Sequence, residues 1–218
     1  GLADPTPATR IIAVQSGALP NWKGITYSPF NLVTPTVVTN PVLKASDITG
    51  VSARFVADTF LYYESNTWYM FTEIYNNSNN QGDLTVATSS DGLHWTYQQI
   101  VLNETWHLSY PYVFKFNGTY YMIPETYQLN EIRIYKATNF PTTWSYVATL
   151  VSGRDFVDPS IFRYNNTWWM FVSDSTNSNC YLYYSNSLTS GWIQHPLSPI
   201  VVGNASKARP GGRAFVYN

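Results

Sequence analysis

One segment of this chain is written three times, and that repetition restricts the fold more than any other feature. Residues 57–73 read 'ADTFLYYESNTWYMFTE', residues 109–125 read 'SYPYVFKFNGTYYMIPE', and residues 157–174 read 'VDPSIFRYNNTWWMFVSD'. Aligned on Asp58, Tyr110 and Asp158, the copies run in step without a gap to Glu73, Glu125 and Ser173. Each copy is two alternating apolar runs separated by a short Asn-rich stretch, which predicts a β-hairpin. Each then continues into a third strand ('DLTVATS', 'EIRIYKAT', 'CYLYYSNS'), a Trp at 95, 144 or 192, and a fourth strand ('TYQQIVL', 'SYVATLV', 'IQHPLSPIV').

Four strands per unit of about 50 residues is the signature of a β-propeller blade, because a lone four-stranded sheet cannot bury both faces and must stack on neighbours. The second strands agree: in 'TWYMF', 'TYYMI' and 'TWWMF' both alternating faces are apolar, as a strand buried between two blades requires. No helical periodicity of any length occurs, so the expectation is an all-β, five-bladed type of β-propeller occupying residues 1–218 as one domain. Residues 10–44 read as outer strands of the last blade, 55–104, 108–154 and 155–204 as full blades, and 207–218 as the start of the next. Five blades need roughly 250 residues or more, so the ring is expected to be incomplete, and a homo-oligomer completing it is the expected assembly because open blade faces expose apolar surface.

Charge excludes some partners. Only 11% of the residues are charged and the net charge is -1, so the field that draws proteins to nucleic acid or to anionic membranes is weak. No apolar run approaches the length of a membrane span, and no charged-then-apolar leader opens the chain. The lone Cys180 excludes an internal disulfide and reads as a small core residue. Sequons at Asn76, Asn103, Asn117, Asn165 and Asn204 point toward a secreted or extracytoplasmic location, although a chain this rich in Asn, Ser and Thr generates sequons by composition alone.

The first strand of a propeller blade lines the central channel, so Asp58, Tyr110 and Asp158 are expected to converge there although far apart in sequence. A pair of carboxylates suits glycoside hydrolysis, one protonating the leaving group and one activating water or attacking. The competing reading is that an Asp before a strand caps its turn. Glu125 and Glu73 close the second strands after apolar runs, where partial burial raises a carboxyl pKa and suits a general acid. Solvated strand ends are the alternative. His107 in 'ETWHLSYPY' offers an acid/base group or, with Asp58, Asp158 and Glu125, a site for a divalent metal ion on the axis, since imidazole with carboxylates suits zinc or manganese. Arg209 and Arg213 in 'ARPGGRAF' can clamp a carboxylate, phosphate or sugar hydroxyls, or serve the oligomer contact. His94 and His195 read as surface or packing residues, and Asp174 lies one step out of register with Glu73 and Glu125.

The segments 'FVADTFLYYESNTWYMF', 'HLSYPYVFKFNGTYYMIPET', 'VDPSIFRYNNTWWMFVSD' and 'ARPGGRAF' resemble the five-bladed propeller found N-terminal in glucosamine inositolphosphorylceramide transferases, a domain type that also accompanies bacterial formyltransferase-like proteins. More remotely the chain is similar to the propellers of glycoside hydrolase families 43, 32 and 68. The remote resemblance implies that Asp58 acts as base or nucleophile and that Asp158 tunes a pKa or grips substrate. It also implies an acid Glu on a later blade, which lies where this chain stops, and the first motif reads 'ADT' without the usual Pro. Three functions remain open: a hydrolase acting on a small carbohydrate through an axial carboxylate pocket, a non-catalytic carbohydrate-binding accessory propeller of a transferase, and a metal-assisted hydrolase of esters or phosphoesters.

Overall fold

In a computed structural model, residues 36–214 are described. The chain divides into two compact units, Gly1–Asn40 with Val216–Asn218, and Pro41–Phe215; the account below concerns the second. The expected outer strands at 10–35 lie outside the described residues, and residues 36–44 contain no strand.

The second unit holds the three expected blades. Strands β1 (Ala53–Glu64), β2 (Thr67–Asn76), β3 (Gln81–Ser89) and β4 (Thr96–Leu102) form the first sheet in chain order. The second comprises β5 (Ser109–Phe116), β6 (Thr119–Glu125), β7 (Glu131–Asn139) and β8 (Thr143–Ser152). The third comprises β9 (Phe156–Tyr164), β10 (Thr167–Asp174), β11 (Cys180–Ser185) and β12 (Ile193–Gln194). All pairings are antiparallel, and the first strands β1, β5 and β9 touch one another in succession.

The third blade departs from expectation at its outer edge, where the fourth strand is only Ile193–Gln194 with one isolated bridge from Cys180 to Val201. Pro196 and Pro199 have no N–H to give to a ladder, so the pairing cannot run on. Residues 207–214, read above as a strand opening, run as turn and coil in the structure.

The core lies between blades. Phe71, Leu84 and Val86 of the first blade meet Val113, Met122 and Tyr135 of the second. Tyr112, Ile123 and Ile134 of the second meet Ile161, Met170 and Val172 of the third. Both faces of β2 and β6 are therefore used, whereas β10 turns Met170 and Val172 to the second blade and keeps Trp169 and Phe171 half-buried on its other face; full burial of such side chains contributes about 1.5–3 kcal/mol each. On the other face of the first blade, Leu43 packs against Met70 and Ala87. The repeated Trp anchors the outer turns: Trp144 Nε1 donates to Pro141 O at 2.9 Å and Trp192 Nε1 to Leu188 O at 3.0 Å. Cys180 is buried as expected, at 4% exposure.

Each hairpin turn consists of two residues with positive φ: Ser65 and Asn66 (51° and 60°), Asn117 and Gly118 (47° and 79°), Asn165 and Asn166 (47° and 63°). Such turns match the right-handed twist of the flanking strands, and Asn and Gly tolerate the left-handed region best. Ser65 is the poorest fit of the six. Ser65→Asn is expected to raise stability by up to about 1 kcal/mol and Ser65→Val to lower it by about 1–2 kcal/mol, read as opposite shifts in the urea midpoint.

Candidate active site

The three aligned residues share a backbone state that no sequence pattern displayed. Asp58, Tyr110 and Asp158 all have positive φ, at 51°, 49° and 54°. In each blade this residue lies in a register shift between the first two strands, so each first strand carries a bulge at the same place. A left-handed Asp or Tyr costs about 1–2 kcal/mol, and a bulge takes an N–H out of the ladder. The preceding blade supplies the missing partner. The Tyr110 N–H donates to the Asp58 carboxylate, and the Asp158 N–H donates to Glu125 Oε2 at 3.0 Å.

These contacts gather four carboxylates and one guanidinium. Glu73 stands opposite Ala57, and Glu125 opposite Ser109, at the same ends of their strands; Ser173 is the third-blade counterpart and bonds instead to Asn179 O at 2.8 Å. Glu73, Glu125 and Asp158 are nearly inaccessible, at 4%, 5% and 3%, whereas Asp58 is half-buried. Arg209 lays its fork on Asp158, with Nε on Oδ2 and Nη2 on Oδ1, and its Nη2 is 4.0 Å from Glu125 Oε2. Both oxygens of Asp158 are thereby engaged.

Burial, reinforced by the Asp58 charge, pushes the Glu73 carboxyl up to about 8 against the pull of Arg209. Burial and then Asp158 raise Glu125 as well. Asp58 is raised by burial and by Asp158, opposed by Arg209 and by the Tyr110 N–H. The Arg209 guanidinium holds its proton more firmly than usual, chiefly through its bond to Asp158. Near neutral pH the cluster is therefore a mixture of protonated and ionised carboxyl groups around one cation.

His107 joins the cluster from the loop before β5. Its Nδ1 accepts the Gly82 N–H at 2.9 Å, which places the proton of the neutral ring on Nε2, 3.4 Å from Glu73 Oε1. That contact is longer than a hydrogen bond, and Glu73 Oε1 is buried with no hydrogen-bond partner among the described residues. Burial lowers the His107 pKa. Gly82 makes the approach possible: a Cβ there would lie 2.2 Å from Leu108 O, 2.8 Å from His107 Cε1 and 2.9 Å from Glu73 Oε1. The only signal for Gly82 in the sequence is a glycine at the second position of the strand 'QGDLTVATS'.

Tyr110 and Arg213 face elsewhere. The Tyr110 side chain is 5% exposed, and its hydroxyl holds Ser160 Oγ (2.8 Å) and the Gly212 N–H (2.8 Å), pinning the segment that carries Arg209. Arg213 lies over the Tyr112 ring at 4.8 Å and donates to Val113 O at 2.6 Å and Leu61 O at 3.4 Å, joining the first two blades. Ser160 carried no sequence signal. Asp174 anchors its own turn, accepting from Asn179 Nδ2 (2.8 Å), Thr176 Oγ1 (2.5 Å) and Tyr181 OH (3.2 Å). His94 is exposed beside Asp91, and His195 is buried against Trp169 and Tyr184. Among the described residues, no three His, Cys, Asp or Glu side chains are grouped so as to hold a metal ion.

Residues 31–218 match the family described as glucosamine inositolphosphorylceramide transferase 1, N-terminal. Curated glucosamine inositolphosphorylceramide transferase 1 from Oryza sativa subsp. japonica is 40% identical over 190 residues, and that from Arabidopsis thaliana 38% over 191, each alignment covering 83% of this chain and 25% of the relative. The alignment thus spans about a quarter of the length of the curated relatives. Among solved structures, an exo-β-1,3-galactanase from Clostridium thermocellum superposes with TM-score 0.60 at 18% identity, covering 81% of this chain and 40% of that one. The catalytic domain of a Coprinopsis cinerea family 62 α-L-arabinofuranosidase gives 0.59 at 14%, covering 76% and 56%. At these identities the likeness shows the fold alone, that of a β-propeller.

The raised pKa of Glu73 has a consequence for stability. The folded protein keeps a proton that the unfolded chain, near its ordinary value of 4.5, has released, so this contribution is complete at low pH and declines as pH rises from about 4.5 to 8. His107 acts in the opposite sense, its contribution being lost as pH falls below its unfolded value. Comparison with Glu73→Gln isolates the first effect: between pH 5 and 8 the unfolding free energy of the variant is expected to fall less than that of the wild type. Equal slopes would contradict the assignment.

Proposed function

Because the chain belongs to the glucosamine inositolphosphorylceramide transferase 1 N-terminal family, we propose that it is a carbohydrate-binding accessory propeller of a transferase, gripping a hydroxyl-rich group in its carboxylate cluster. The observation that carries this reading is the state of Asp158. Its two oxygens are held by the Arg209 fork, and Glu125 Oε2 is tied to the Asp158 amide, which favours a holding role for both over attack on a sugar or activation of water. Asp58 and Glu73 are left to face a ligand. An ionised carboxylate accepts hydrogen bonds from adjacent hydroxyls, and a protonated one also donates. The orphaned Glu73 Oε1 is an acceptor that a ligand hydroxyl would satisfy.

A second reading rests on Glu73 itself. A carboxyl group raised to about 8 and coupled to the Asp58 charge resembles the protonated acid beside an ionised partner that glycoside hydrolysis uses. The fold likeness to glycoside hydrolases favours the same chemistry.

The two readings separate in one set of measurements. A panel of mono- and oligosaccharides is titrated calorimetrically, and chromogenic glycosides are offered to the same preparation. The accessory role predicts saturable sugar binding that Asp58→Asn weakens roughly 10-fold or more, the loss of one or two hydrogen bonds to a charged group, with no turnover of any glycoside. Turnover that Glu73→Gln abolishes would replace this reading with the hydrolytic one.

A further inference from the structure

The structure assigns two N-glycan acceptor sites, Asn117 and Asn165, out of the five sequons in the chain. Both are the first residue of the two-residue turn joining the first and second strands of a blade. Both are exposed, and neither side chain makes a hydrogen bond to another described residue. Each sequon is completed by a half-buried Thr, Thr119 or Thr167, opening the next strand. The first blade carries Ser65 and Asn66 at this place, followed by Thr67 and Trp68, and has no sequon in this turn.

Two of the other sequons are excluded by the fold. Asn76 is 5% exposed and its Nδ2 donates to Asp83 Oδ2 at 2.8 Å. Asn103 is exposed, but its Nδ2 donates to Asp83 Oδ1 at 2.8 Å. Asp83 is wholly buried, so a glycan on either amide would replace one of its two N–H hydrogens and crowd the nitrogen held against a carboxylate that cannot turn to water. Glycans are attached largely before folding is complete, so the restriction acts on which glycosylated chains reach the native state. At Asn204, the amide oxygen already accepts the hydroxyl of Ser206 at 2.8 Å, and it is not assigned.

Position gives the assignment a further meaning. In the second blade the cluster lies where Ser109 pairs with Glu125, and Asn117 lies at the opposite end, beyond the pairing of Phe116 with Thr119. In the third blade Asp158 and Asn165 are separated in the same way along β9. At about 3.3 Å per residue, each glycan leaves the blade roughly 20 Å from the carboxylates and leaves the ligand end clear. In the transfer, Asn Nδ2 bonds to the anomeric carbon of a polyprenyl-pyrophosphate-linked oligosaccharide, the bond from that carbon to the pyrophosphate oxygen breaks, and the pyrophosphate departs with the amide proton.

The chain, secreted from a eukaryotic host behind a cleavable leader, is treated with peptide N-glycosidase in heavy-oxygen water and mapped by mass spectrometry. Heavy-oxygen Asp is expected at 117 and 165 and not at 76 or 103 in the folded fraction. Thr119→Ala and Thr167→Ala should each remove one mobility step without altering the circular dichroism spectrum. Unmodified Asn117 and Asn165, beside a co-expressed control glycoprotein that is modified, would overturn the assignment. So would a glycan on Asn76 in folded protein.

Discussion

A carboxylate of one blade holding a backbone N–H of the next is the contact on which the site depends. The bulge that places Asp58, Tyr110 and Asp158 in the left-handed region removes an amide from each ladder, and left unpaired that amide would cost about 1–3 kcal/mol beyond the strain of the backbone itself. Asp58 pairs with the Tyr110 amide and Glu125 with the Asp158 amide. The same bonds that satisfy the bulges therefore set the angle between neighbouring blades at their inner ends. Apolar packing between second strands supplies most of the cohesion, but it does not by itself fix that angle.

The arrangement has an electrostatic price that Arg209 and proton uptake by the carboxyl groups offset. Carboxylates brought together to serve backbone amides repel one another, and burial removes the water that would screen them. Two responses are visible: Glu73 and Glu125 shift toward their protonated forms, and Asp158 takes the guanidinium on both oxygens. The guanidinium is held in place by the Tyr110 hydroxyl and Ser160, which grip Gly212 three residues on. In the proposed binding role, structure and recognition share one set of groups, and the half-buried Asp58 and the unpartnered oxygen of Glu73 are what remain for a ligand, a smaller set than the carboxylates of the repeat suggest.

Much of the fold was legible because the repeat is written in apolar periodicity, which reports burial directly. The three blades, the burial of β2 and β6 on both faces and the anchoring Trp residues all follow from it, whereas β10 is buried on one face only. The convergence of Asp58 and Asp158 followed from alignment, as did the lesser standing of Asp174. Alignment placed the Tyr110 backbone correctly, in the same bulge as Asp58 and Asp158, but where the two Asp carry short carboxylates its long apolar ring packs against Phe60 in the core and its hydroxyl reaches Ser160. Gly82 and Ser160 act through contacts across blades, and Arg213 likewise binds carbonyls of two other strands; no local pattern encodes such partners. The shortened β12 could have been read from Pro196 and Pro199, which interrupt the run that looked like a strand.

Hydrogen exchange at two amides tests the central contact most directly. Resolved by nuclear magnetic resonance, the Tyr110 and Asp158 amides should exchange as slowly as their neighbours in the ladder although no strand partner holds them. In Glu125→Ala, protection should collapse at Asp158 while Tyr110, served by Asp58, keeps its own. Fast exchange of both amides in the wild type, or unchanged protection at Asp158 in the variant, would contradict the account.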